Sequence, residues 1–170
     1  LRRELGDRWG VAMSLNSLGW VALGQGDGAR ATALLEESLA LVRELCDSRG
    51  VAMVLTGLGW VALQAGDTVR LAATSAEALP LFGQLGSRLD LVLCLKNLAS
   101  VAALRGQPVQ AARLYAAVET LTEEMGFGRP DIEEQRHARA MQLARAALDR
   151  TAWDAAWNAG RALPLEAAIH

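Results

Sequence analysis

Residues 7–46 read DRWGVAMSLNSLGWVALGQGDGARATALLEESLALVRELC, and the next forty, 47–86, read DSRGVAMVLTGLGWVALQAGDTVRLAATSAEALPLFGQLG. Half of the aligned positions are identical, including Gly10-Val11-Ala12-Met13 over Gly50-Val51-Ala52-Met53 and Leu18-Gly19-Trp20-Val21-Ala22-Leu23 over Leu58-Gly59-Trp60-Val61-Ala62-Leu63. A more divergent third copy over residues 87–126 keeps Leu95, Leu98, Val101, Ala102 and Gly106 in register. The period is 40 residues without insertion, from Trp20 to Trp60 and from Gly26 through Gly66 to Gly106. A fixed period of this size marks a stacked repeat architecture and outranks every other signal in the chain.

Each copy reads as two helices. Asp7 caps the first, which places Val11, Leu15, Leu18 and Ala22 on one face at three- and four-residue steps. Gly24-Gln25-Gly26-Asp27 then breaks the chain. Asp27 caps a second helix to about Leu45, with a buried stripe of Ala31, Leu34, Leu35, Ser38, Leu39, Val42 and Leu45. Asp47 and Asp67 cap the corresponding helices of the second copy, where Pro80 removes a backbone hydrogen bond and predicts a kink. In the third copy Pro108 falls at the first helical turn, where its missing N–H costs little.

Residues 1–6 (LRRELG) echo 41–46 (LVRELC), which predicts that the chain opens inside the second helix of a truncated preceding repeat and was cut from something longer. After Gly126 the 40-residue register is lost. Residues 126–130 read as a linker, Asp131 to Glu134 as a capping box opening a helix to about Arg150, and Thr151 to Asp154 as the start of a shorter one. A last turn or two follows Pro164. The domain reading is therefore 1–6 as the end of an earlier repeat, 7–46, 47–86 and 87–126 as three full repeats, and 127–170 as capping helices. Such arrays need an atypical end over the last repeat, and Trp153 and Trp157, four apart on one helical face, supply apolar cover there.

Composition bounds the function. Hydrophobic residues make up 52 % of the 170 and aromatics 5 %, as closely packed helices require. Seventeen basic residues face nineteen acidic ones, for a net charge of −2, so there is no electrostatic case for direct nucleic-acid binding. Lys96 is the single lysine. Cys46 and Cys94 sit at unlike repeat positions without CxxC or Cys/His spacing, which supports neither a zinc site nor a disulfide and suits a reduced cytoplasmic setting. No apolar run approaches the ~18–20 residues of a membrane span.

The copies resemble the tetratricopeptide repeat (TPR) family. Leu15, Leu18, Gly19, Ala22, Ala31, Leu35 and Ser38 fall on its spaced pattern in the first copy. Leu55, Leu58, Gly59, Ala62 and Ala78 do so in the second, and Leu95, Leu98, Ala102, Ala111 and Tyr115 in the third. Departures are Leu71 and Ser75, and Arg43, Gly83 and Glu123 where proline is common. The resemblance implies an all-α, right-handed superhelical solenoid of antiparallel helix pairs with a C-terminal helical cap. Gly19 and Gly59, lacking Cβ, would let the partner helix approach closely. The 40-residue period is similar to the longer-helix subgroup, and phrases such as GDRWGVAMSLNSLGWVAL and AWNAGRALPLEAAI resemble TPR segments of bacterial LuxR/MalT-type ATP-dependent regulators. That likeness implies a cytoplasmic interaction or effector-sensing module, attached to an ATPase or output domain, that receives a protein or peptide partner. A free-standing scaffold or adaptor is the alternative, and self-association into a homodimer a third.

The inner surface of such a coil is lined by the first helix of each repeat. By spacing it carries Met13, Asn16, Ser17 and Trp20, then Met53, Thr56, Gly57 and Trp60, then Leu93, Lys96, Asn97 and Ser100. Trp20 and Trp60 either anchor an amphipathic helix or extended peptide in this groove or pack between helices. A lysine-rich carboxylate clamp is disfavoured, because Lys96 stands alone. Catalysis finds no support: His137 reads as part of a solvated helix face, and adjacent acids such as Glu36 and Glu37 point about 100° apart. The glycine-rich 24–28 lacks a Walker lysine, and no nucleophile is read beside a base. No cofactor, metal or membrane partner is expected.

Overall fold

The computed structural model describes residues 7–126 and 131–163, with 131–136 in backbone only. Among the described residues there are eight helices and no strand: α1 Arg8–Gly24, α2 Gly28–Glu44, α3 Ser48–Ala65, α4 Thr68–Leu85, α5 Arg88–Leu104, α6 Pro108–Met125, α7 Asp131–Ala146 and α8 Arg150–Arg161. The starts of α1, α3 and α5 fall 40 residues apart, as do those of α2, α4 and α6. The all-α expectation of stacked antiparallel helix pairs holds.

Local chemistry sets these boundaries. The carboxylates of Asp7, Asp27 and Asp47 accept from the backbone N–H groups of Gly10, Arg30 and Gly50 at 2.7, 3.0 and 3.0 Å. Asp67 accepts from Arg70 N–H at 2.9 Å and from Val69 N–H at 3.1 Å. Each such cap is worth about 1 kcal/mol. Ser87 instead donates its hydroxyl to Asp90. Helix α4 runs through Pro80 to Leu85 without interruption. Asp149, and not the Thr151 start read from sequence, caps α8 by accepting from Ala152 N–H at 2.8 Å. Helix α7 ends at Ala146, short of the expected Arg150. The expected earlier-repeat end at 1–6, the linker, the Asp131 capping box and the turn after Pro164 lie outside the described residues or side chains.

The chain divides into two compact units, residues 1–85 and 86–170. In the first, α1 pairs with α2 and α3 with α4, α2 also packs on α3, and α1 meets α3. Its centre is Leu35, fully buried on α2. A methyl group added at Gly19 of α1 would come within 2.7 Å of Leu35 Cγ, and one at Gly57 of α3 within 3.0 Å of Leu35 Cδ2. The isobutyl group thus fills the spaces left by two missing Cβ atoms on two different helices. Ser38, one turn on, donates its hydroxyl to the carbonyl of Ala12 at 2.7 Å, so the polar group in the stripe is satisfied. Exposed ion pairs Arg43–Glu77 (2.6 Å) and Arg70–Glu36 (2.7 Å) link α2 to α4 and contribute roughly 0–1 kcal/mol each.

Two expected core positions are corrected. Leu18 is 49 % exposed, whereas its counterpart Leu58 is 3 % exposed, because α3 packs between α2 and α4 while α1 packs mainly on α2. Leu45 is exposed as the C-cap of α2. Val11 and Leu34 are half-buried.

In the second unit α5 pairs with α6, α7 packs against both, and α8 packs on α6. A methyl at Gly160 of α8 would meet the backbone oxygen of Arg113 at 2.2 Å, so α8 lies nearly backbone-to-backbone on α6. Trp153 and Trp157 stack with centroids 5.2 Å apart, the Arg145 guanidinium lies 4.8 Å from the Trp153 ring, and Trp153 is buried among Ala99, Ala102, Ala112 and Ala156.

Two stability measurements follow. Leu35→Ala should cost about 2–5 kcal/mol in urea-induced unfolding, since the glycine-lined space cannot collapse onto a smaller side chain. Cys46 holds φ +53° at a turn position where Gly26, Gly66, Gly86, Gly106 and Gly126 hold φ between +65° and +79°. Because a Cβ costs roughly 1 kcal/mol there, Cys46→Gly should raise stability by about that amount.

Candidate functional site

The groove candidates of the first unit lie on α1 and α3. Trp20 is 37 % exposed, and its Cε2 would stand 3.6 Å from a Cβ added at Gly57, so the indole lies across the bare backbone of α3. Met53 is exposed and sits one turn before Gly57 on the same face of α3. Ser17 is exposed, and its hydroxyl donates back to the Met13 carbonyl. Met13 and Thr56 are half-buried, and Thr56 likewise returns its hydroxyl to the Ala52 carbonyl. Asn16 is buried, its Oδ1 without a hydrogen-bond partner among the described residues. Trp60 is 8 % exposed, so the two tryptophans, alike in sequence, differ in environment: one is core and the other an open face.

In the second unit Lys96 is half-buried while Asn97 and Ser100 are buried. Ser100 stands at the position of Trp20 and Trp60, and its small side chain meets His137 of α7. Ser100 Oγ lies 2.7 Å from His137 Nδ1, 2.9 Å from the Tyr115 hydroxyl and 3.0 Å from the Lys96 carbonyl. The Tyr115 hydroxyl also donates to the His137 carbonyl at 3.3 Å.

This corrects the reading of His137 as solvated: it is 4 % exposed and turned into the unit. It also corrects the reading that no nucleophile stands beside a base. Ser100 is 0 % exposed, and its oxygen is shared among three neighbours, so the group ties α5, α6 and α7 together.

Burial raises the Tyr115 phenol from 10.0 to about 12, with the Ser100 hydrogen bond acting in the lowering direction. Burial, and then the Asp90 carboxylate, raise the Cys94 thiol from 9.0 to about 12. Cys46 is exposed. Among the described residues no group of three or more His, Cys, Asp or Glu side chains could hold a metal ion, and no helix is long and apolar enough to cross a membrane.

Residues 11–49 match the tetratricopeptide repeat model. The TPR match begins in α1, takes in Gly19, Trp20 and all of α2, and ends in the first turn of α3. It supports a tetratricopeptide repeat family for this segment, and such repeats in general are non-catalytic mediators of protein–protein interaction. No curated protein and no solved structure matches the chain.

Sequence reasoning missed the Ser100–Tyr115–His137 cluster. The available signal was the change from Trp20 and Trp60 to serine at the third copy, which announces a different neighbour. Tyr115 is the only tyrosine, so ultraviolet titration reports it alone. The phenol should ionise near pH 12 in the folded chain and near 10 once unfolded. Folding thus favours the protonated phenol. Its contribution is complete below pH 10 and falls as pH rises toward 12. Ser100→Ala should push the folded midpoint higher still and cost about 1–3 kcal/mol by leaving buried polar groups short of a partner.

Proposed function

We propose that the chain is a non-catalytic protein-interaction or effector-sensing module of a larger bacterial regulator, with residues 7–46, 47–86 and 87–126 as its repeats and 127–170 as their cap. The observation that carries this reading is the half-open Trp20 lying across Gly57, with Met53 exposed one turn away on α3. An aromatic anchor with flexible methionine beside it suits the apolar stripe of an amphipathic helix. Such a ligand would contact α1 and α3 together, and would therefore favour one packing of these helices over others. An attached ATPase or output domain would read that difference, since a ligand shifts an equilibrium only by its differential affinity for the two states. The sequence likeness to LuxR/MalT-type regulators supports the attachment.

Two experiments test the reading. Trp20→Ala combined with Met53→Ala should weaken capture of a protein partner from a lysate of the source organism at least tenfold with the fold intact; equal capture by both proteins overturns the Trp20 face. Sequencing the reading frame beyond residues 1 and 170 should reveal an ATPase or other output domain. A frame holding further repeats alone would contradict the regulator and leave a scaffold.

A further inference from the structure

The second unit holds a cavity of about 270 Å³ between α5, α6, α7 and α8. Its volume falls just under the ~300–1,000 Å³ of drug-sized sites, so it suits a small, compact molecule. Val118 of α6, Met141 of α7 and Trp157 of α8 supply apolar wall. The Tyr115 and His137 side chains close the side nearest the buried Ser100, where their hydrogen bonds hold them in place.

Charge at the cavity is unequal. Glu119 lines it, yet its carboxylate is held by Arg161 at 3.1 Å, and the same guanidinium holds Glu123 at 3.0 Å. Lys96 also lines it, and among the described residues its ammonium has no ion-pair partner. A half-buried cation against apolar wall is the part of this surface that gains most from an incoming anion. Among the described lining residues Lys96 is the one lysine or arginine, and a single ammonium matches a monoanion better than a phosphate. Thr122 donates its hydroxyl to the Val118 carbonyl at 2.7 Å, so its oxygen can accept but has no proton to give an anion.

We propose that this cavity binds a small monocarboxylate with an apolar body, the carboxylate on Lys96 and the body against Val118, Met141 and Trp157. The inference rests on the effector-sensing reading above and gives that effector a chemical class. The ligand touches four helices at once, so its occupancy reports on how α7 and α8 sit against α5 and α6.

The test is calorimetry on the full chain with phenylacetate, with phenylacetamide as the neutral isostere and octanoate as an aliphatic monocarboxylate. Phenylacetate should bind one to one in the micromolar to millimolar range and at least tenfold more tightly than phenylacetamide. Lys96→Met, which keeps an apolar stem of similar length, should remove that preference, and Ala138→Phe should block the cavity to all three. Equal binding of acid and amide, or an unchanged preference in Lys96→Met, would overturn the carboxylate assignment. No saturable binding of phenylacetate or octanoate to the wild-type chain would overturn the site. The Trp20→Ala, Met53→Ala protein should retain phenylacetate binding, so the partner face of the first unit and this cavity can fail separately.

Discussion

The first unit depends on one contact, the Leu35 side chain seated between the glycines of α1 and α3. Dispersion and burial need close approach, and close approach of two helices to a third needs somewhere for the intervening side chain to go. Gly19 and Gly57 provide that space at the expense of helix propensity, roughly 1 kcal/mol each relative to alanine. With Leu35 in place α1 and α3 both touch α2, and the Trp20 indole reaches the backbone beside Gly57. The open face proposed to receive a partner is a by-product of the same missing Cβ.

The second unit uses the same sequence positions with the sizes exchanged. Two 40-residue steps on from Leu35, Trp20 and Gly57 stand Tyr115, Ser100 and His137. In the first unit a large indole lies on glycine; in the second a small hydroxyl receives an imidazole at 2.7 Å. Van der Waals contact is replaced by a buried polar cluster, which demands that every member keep its partner. The cavity flanking this cluster has no counterpart that could be read from the repeat pattern. Its walls come from α5, α6 and α7, with Trp157 of α8.

Much of the fold was legible because identical local signals recur. Asp7, Asp27, Asp47 and Asp67 each announce a helix start, and the five glycines with positive φ each announce an end. What sequence could not provide was the neighbour of each face. Leu18 and Leu58 are the same letter in the same pattern, yet among the described residues only the second lies on a helix packed between two others. Trp20 and Trp60 likewise share a letter and differ in exposure, 37 % against 8 %. The apparent loss of register after Gly126 hid the partner of Ser100: His137 keeps the 40-residue position although the residues around it do not resemble the earlier copies. His137 follows a charged run and so read as solvated, while the helix turns its imidazole inward.

The most direct test of the packing account is a double-mutant cycle between Gly57→Ala and Leu35→Ala, read by urea unfolding. If Leu35 fills the space left by the absent Cβ, Gly57→Ala destabilises the wild-type chain through overpacking. In the Leu35→Ala background the same methyl enters the vacated space and becomes neutral or stabilising, giving a coupling of at least about 1 kcal/mol. Additivity of the two changes within ~0.5 kcal/mol would contradict the account.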